Sequence, residues 1–163
     1  ISNFSVKLKK KIIDDKIIKT NFTFQCPRKI FEEISNYLIS LSSKIIIKEY
    51  FYNIDDIFSN TSVIISRAGA GSITNFINYE IPAILIPLPS SKDNHQFYNA
   101  TIMSKQKVAI ILDQNKNEIN KAKNYIYEIY KNANDTKLMK KRFDKIKVKN
   151  SNSLIYKLVI NEQ

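Results

Sequence analysis

Apolar positions along the chain follow two periods in turn. Val6, Leu8, Ile12, Ile13, Ile17 and Ile18 fall at helical spacing with lysines between them, which predicts a helix with one buried stripe. Phe22–Cys26 alternates Phe-Thr-Phe and stops at Pro27, the pattern of a strand. Ile30, Phe31, Ile34, Leu38 and Leu41 predict a second amphipathic helix, and Ile45-Ile46-Ile47 a buried strand within Lys44–Tyr50. Asn53–Phe58 carries Asp55 and Asp56 in what would be a first turn, which favours a short helix capped by Asn53. Val63–Ile65 reads as a strand, and a helical pattern resumes from Ser72 to Tyr79. Ala83–Ile86 is a further short buried strand, Pro87–Ser91 a loop, Asn94–Ser104 a helix and Val108–Leu112 a strand. The tail reads as helices over Glu118–Tyr130, Asp135–Ile146 and Ser153–Ile160.

Strands that alternate with helices predict an α/β fold: a Rossmann-like parallel β-sheet flanked by helices on both faces, with a helical C-terminal tail. Residues 1–163 are expected to form a single domain, since no internal repeat or low-complexity linker divides them. The first predicted helix has no strand before it, and the chain opens Ile1-Ser2-Asn3-Phe4 without Met. The expectation is therefore a fragment whose upstream part is missing.

Composition changes this picture little. A net charge of +11 invites an anionic partner. However, the chain is crowded with Lys, Asn and Ile and holds no Trp and only two Gly, a skew that coding DNA poor in G and C would produce. The lysines form no basic stripe interleaved with aromatics, so nucleic acid is not the expected partner. One cysteine, Cys26, permits no disulfide within the chain and no zinc cluster, and is expected to be a buried structural thiol in a reducing compartment. No apolar run is long enough to span a bilayer.

The candidate chemistry concentrates in two stretches. Both glycines of the protein, Gly69 and Gly71, lie in Ser66-Arg67-Ala68-Gly69-Ala70-Gly71-Ser72, between a strand and a helix. Glycine permits positive φ and lets another group approach the backbone. A helix N-terminus presents unpaired N–H groups and a positive dipole end there, an arrangement often used for phosphate. A β–α turn that needs small residues for packing accounts for the same letters, because a short Gly-x-Gly is a weak motif. The second stretch, Ser90-Ser91-Lys92-Asp93-Asn94-His95-Gln96-Phe97-Tyr98-Asn99-Ala100, holds the only histidine. It follows a strand and opens a helix, so its polar side chains are expected at the same sheet edge as the glycine turn. His95 and Asn99, four residues apart, share a helix face. His, Gln and Asn supply neutral donors and acceptors suited to sugar hydroxyls and an acetamido group. An exposed helix start capped by Asn94 is the plainer alternative. One histidine with no cysteine nearby does not make a metal site.

Taken together, Ser66–Ser72, Ile81-Pro82-Ala83-Ile84-Leu85-Ile86-Pro87 and Asp93-Asn94-His95-Gln96 with Asn99-Ala100, preceded by Glu49-Tyr50-Phe51, resemble the C-terminal domain of the MurG family of bacterial peptidoglycan glycosyltransferases. The resemblance runs from about residue 4 to the end and is densest between 49 and 112. It implies a GT-B enzyme with two Rossmann-like domains and an active site in the cleft between them, of which this chain is the donor-binding half. It implies an inverting transfer of N-acetylglucosamine from UDP-N-acetylglucosamine to lipid I, giving lipid II. The implied substrate-binding residues are Phe51 at the uracil edge, Arg67, Gly69, Ala70, Gly71 and Ser72 against the UDP moiety, and Asn75 at the ribose. His95 and Gln96 would reach the sugar and diphosphate region, with Asn99 bracing the loop.

The catalytic base is expected on the acceptor-binding N-terminal domain, which would also bring lipid I, so the chain alone is expected to be inactive. No metal or cofactor is implied. The implied place is the cytoplasmic face of the plasma membrane, where a charge of +11 would favour peripheral contact with anionic lipid. Asn75 stands where this family usually has Glu, so weaker nucleotide binding than in a Glu-bearing relative is expected. A non-catalytic or partner-dependent nucleotide-sugar-binding subunit of a split glycosyltransferase is the alternative function.

Overall fold

A computed structural model of the protein describes residues 7–8, 21–39, 45–132 and 136–147. The elements alternate as the apolar spacing requires: β1 (Phe22–Gln25), a 3₁₀ turn (Arg28–Ile30), α1 (Phe31–Ile39), β2 (Ile45–Lys48), α2 (Ile54–Ser59), β3 (Ile64–Ser66), α3 (Ala70–Asn78), β4 (Ala83–Leu85), α4 (His95–Lys105), β5 (Ala109–Ile111), α5 (Ile119–Lys131) and α6 (Thr136–Asp144). Lys7 and Leu8 are helical. The rest of the helix expected over Val6–Ile18, the end of the one reaching Leu41, and the one expected over Ser153–Ile160 lie outside the described residues.

Among the described residues all strand pairs are parallel. β3, β4 and β5 form one sheet with β4 in the middle, Ile64 opposite Ala83 and Ala83 opposite Ala109. β1 and β2 form another, Phe22 opposite Ile45. The expected single sheet is thus in two pieces among the described residues. The orders β2-β1 and β3-β4-β5 are the two flanks of a doubly wound sheet, whose order 3-2-1-4-5-6 sets one more strand between them. No described segment supplies that strand.

Side chains of β4 show why the larger sheet is covered on both sides, since successive residues of a strand point to opposite faces. Ala83 and Leu85 pack with Phe58, Ile73, Phe76, Ala100, Met103 and Phe143, from α2, α3, α4 and α6. Ile84 and Ile86 pack instead with Leu8, Leu112, Ala122 and Tyr125, against α5. Every residue of β4 is buried, which is why its sequence reads as an unbroken apolar run. Cys26 and Ile34 anchor a smaller cluster in which Phe24, Ile45 and Ile47 hold α1 on the two-stranded sheet.

One expectation about this sheet fails. β2 is not buried throughout: Ile46 is 51% exposed, while Ile45 and Ile47 face the core. β2 is an outer strand covered on one face only, so a run of three isoleucines marks β propensity here and not double burial. Cys26 is buried as expected, and that burial, with the Glu49 carboxylate, raises its thiol pKa.

Two helices end without the glycine that commonly serves there. After α3, Ile81 N–H bonds Phe76 O at 2.9 Å and Glu80 N–H bonds Ile77 O at 3.2 Å, with Glu80 at φ 55°. After α4, Val108 N–H bonds Met103 O at 3.2 Å and Lys107 N–H bonds Ser104 O at 2.9 Å, with Lys107 at φ 58°. Both are Schellman closures. The left-handed residue is a side-chain-bearing one at each.

Candidate functional site

In a parallel sheet the strand ends that carry the following loops all lie at one edge. The turn Arg67–Gly69 leaves β3 there, and Ile86–Ser91 leaves β4 beside it. Three side chains lace these loops together. Arg67 Nη1 donates to Ile86 O at 3.0 Å and to Pro87 O at 3.2 Å. Leu88 N–H donates to Gln96 Oε1 at 3.0 Å, fixing the β4 loop to the first turn of α4. Asn99 Nδ2 donates to Ala68 O at 3.1 Å, fixing α4 to the glycine turn itself. The two stretches singled out by sequence are therefore neighbours, joined by a direct hydrogen bond across 31 residues. Behind them, Ile73 and Phe76 of α3 and Ala100 and Met103 of α4 share one buried cluster.

The positive φ that glycine permits is not used in this turn: neither Gly69 nor Gly71 has it. Gly69 is the residue before α3, with φ −65° and ψ 147°, an extended conformation open to any residue. The helix accordingly begins at Ala70, two residues before the expected Ser72. A Cβ on Gly69 would meet Ser72 Oγ at 3.8 Å, an ordinary contact, and a Cβ on Gly71 would meet nothing within 4 Å. Neither the backbone conformation nor the packing requires glycine at 71. What its missing side chain leaves is bare backbone at an exposed helix start, open to a group from outside. The first turn of α3 holds no acidic residue, so its positive end is uncompensated.

Asn75 is exposed and lies one turn along α3 from Gly71, on the same face. His95, the first residue of α4, is exposed and shares a face with Asn99. It follows Asp93 and Asn94, both left-handed at φ 51° and 53°. Asn94 makes no side-chain cap bond, so the plain capping role is not the one it plays. Left-handed Asp and Asn are tolerated better than other residues, and two in succession just before His95 mark a locally strained backbone. Phe51 stands apart. It follows β2 on the smaller sheet, half-buried, with Lys48 Nζ 5.7 Å from its ring centroid. Among the described residues no hydrogen bond joins it to the glycine turn.

Sequence reasoning missed the struts. Gln96 ties the β4 loop to α4 and Arg67 ties the β3 turn to that loop, roles that depend on partners 8, 19 and 20 residues away. Ser91, which the sequence places in the second stretch without a role, has a buried hydroxyl with no hydrogen-bond partner, in the loop between β4 and α4. Among the described residues no group of three or more His, Cys, Asp or Glu side chains is placed to hold a metal ion.

Comparison with known proteins gives a consistent result. Residues 3–155 match the family described as Glycosyltransferase family 28 C-terminal domain. A UDP-N-acetylglucosamine--N-acetylmuramyl-(pentapeptide) pyrophosphoryl-undecaprenol N-acetylglucosamine transferase of Wolbachia sp. subsp. Drosophila simulans (strain wRi) is 30% identical over 161 residues, which is 99% of this chain and 45% of the relative. The protein of that name from Prochlorococcus marinus subsp. pastoris is 41% identical over 102 residues, 62% of this chain and 28% of the relative. The crystal structure of Acinetobacter baumannii MurG superposes with a TM-score of 0.66 at 19% identity, covering 87% of this chain and 41% of that one. The chain spans less than half the length of these proteins.

Proposed function

The chain belongs to the glycosyltransferase family 28 C-terminal domain family, and from that premise we propose that it is the donor-binding half of an N-acetylglucosaminyltransferase that converts lipid I to lipid II. The observation that carries the reading is the Asn99–Ala68 hydrogen bond of 3.1 Å, which holds the start of α4 against the bare turn at the start of α3. Two helix starts at one sheet edge suit a nucleotide diphosphate and its sugar.

In this reading the N–H groups at Gly71 and Ser72 take the UDP diphosphate, assisted by the uncompensated end of α3. Asn75 takes the ribose hydroxyls one turn further along, and Phe51 offers backbone groups to the uracil edge. His95 reaches the sugar, while Gln96 and Arg67 keep the β4 loop in place beside it. The 4-hydroxyl oxygen of the lipid I muramyl sugar bonds to the anomeric carbon as the bond from that carbon to the diphosphate oxygen breaks. The hydroxyl proton passes to a base on the acceptor domain, and UDP leaves with the bonding electron pair. Helix-end N–H groups stabilise the charge that grows on the leaving diphosphate.

No cofactor is assigned, the donor being UDP-N-acetylglucosamine itself. The reading puts the protein at the cytoplasmic face of the plasma membrane, where a lipid-linked acceptor is reached. No described helix is long and apolar enough to cross a membrane. The net charge of +11 favours peripheral contact with anionic headgroups.

The test is a transfer assay with labelled UDP-N-acetylglucosamine and lipid I. The chain alone is expected to be silent, and the chain mixed with the acceptor domain of a relative is expected to form lipid II. Silence in the mixture together with no retention of labelled donor by the chain would contradict the reading.

A further inference from the structure

We propose a second binding site, at the opposite end of the sheet from the glycine turn, for a small amphiphilic anion: an oxyanion head on a short apolar body. A cavity of about 460 Å³ opens there, within the size range of small-molecule sites. Its walls come from the end of α4 (Ser104) and the closure after it (Lys107), the start of β5 (Ala109, Ile110), α5 and α6. Those are the elements at the amino ends of the strands, whereas Gly69–Ser72 lies at the carboxyl ends.

Tyr125 of α5 supplies the reason to expect an occupant. Only 7% of it is exposed, and its hydroxyl has no hydrogen-bond partner. Leaving such a group unmade is costly, and buried tyrosines ordinarily find a partner. Burial raises its pKa well above the usual value, outweighing the opposing influence of Arg142. The hydroxyl is thus a permanent donor at neutral pH. Arg142 of α6 lines the same cavity and engages Lys107 O through Nη1 at a long 3.4 Å. A guanidinium carries five N–H donors, so most of its capacity remains for a ligand.

The charged lining is Lys107 and Arg142 against Glu128, a cationic balance. A neutral hydroxyl donor beside a guanidinium selects an oxyanion. Ile110, Ile129 and Met139 complete the wall on the apolar side, which selects against a bare inorganic ion. This inference is independent of the donor site.

Octanoate is the probe, with acetate (head only) and octanol (body only) as controls, followed by amide shifts in ¹⁵N–¹H spectra of the whole chain. Octanoate is expected to move the signals of Lys107, Tyr125 and Arg142 and to leave those of Gly69–Ser72 in place, with saturating UDP making no difference. Tyr125→Phe, which keeps the ring and the fold, is expected to weaken octanoate about tenfold, as is Arg142→Met, the scale of one charge-assisted hydrogen bond. No shift at millimolar octanoate would overturn the proposal. Equal binding of octanol, or octanoate affinity unchanged in both variants, would also overturn it.

Discussion

Gly71 shows most sharply how one position can be read by physics. Glycine costs helix stability relative to other residues, and here neither conformation nor packing demands it. A glycine in the first turn of α3 makes sense if a ligand needs the space a Cβ would fill. Gly71→Val is therefore expected to leave stability within about 0.5 kcal/mol, as for a surface substitution, while UDP affinity falls more than about tenfold, one strongly placed contact. Asn75, exposed on the same face, should respond the other way: Asn75→Glu restores a charged acceptor and is expected to tighten UDP. Calorimetric titration of the two variants with UDP checks both, and unchanged affinity in either would remove that residue from the site. The two glycines, the histidine and Asn99 were all visible in the sequence as polar or small residues at strand-to-helix junctions. Their reasons were less visible. Positive φ was the natural guess for glycine, but an extended N-cap at φ −65° places no such demand. The bracing roles of Arg67 and Gln96 depend on which loops lie side by side, and no local pattern encodes that.

At the scale of elements, scarcity of glycine leaves a measurable mark. The closures after α3 and α4 force Glu80 and Lys107 into left-handed backbone, which costs a side-chain-bearing residue about 1–2 kcal/mol. Glu80 recovers part of this through its ion pair with Lys147. Lys107→Gly is expected to stabilise the protein by about 1 kcal/mol and to raise Tm by about 3 °C for a domain of this size, as read by thermal melting. A fall in Tm would mean that the lysine side chain matters more than its backbone.

The loop from β5 to α5 carries the clearest acid sensitivity. Asp113 N–H donates to Glu118 Oε2 at 2.6 Å, and Lys121 lies 3.2 Å from Oε1. That backbone hydrogen bond, helped by Lys121, lowers the Glu118 pKa. A lowered folded-state pKa adds stability above the unfolded value, about 4.3 for Glu, and that stability is lost as pH falls through the folded value. Melting curves between pH 5 and about 3 should show Glu118→Gln losing less stability than the parent. Helix and strand types were legible from periodicity nearly everywhere, because most elements bury one face and β4, buried on both, reads as an unbroken apolar run. Boundaries moved by one or two residues wherever capping decided them, as at Gly69.

For the whole molecule, the split sheet is the feature that periodicity could not supply. Strand propensity announced β1 to β5 in order, but pairing is a long-range matter, and β1 and β3 turn out to be unpaired with each other among the described residues. Both flanks nonetheless keep the doubly wound order, so the glycine turn and the start of α4 stand where that architecture places ligands. The charge of +11 is a property of the whole surface and acts through attraction to anions. It does not choose among nucleotide, lipid headgroup and organic anion; the local geometry does. The central claim is that Gly69–Ser72 and His95–Asn99 form one pocket for a uridine diphospho-sugar. The direct measurement is a titration of the ¹⁵N-labelled chain with UDP. The account predicts that amide signals of Gly69–Ser72 and His95–Asn99 shift together along one saturation curve, while those of Lys107 and Tyr125 stay still. Signals that stay fixed at millimolar UDP, or that move in only one of the two segments, would contradict it.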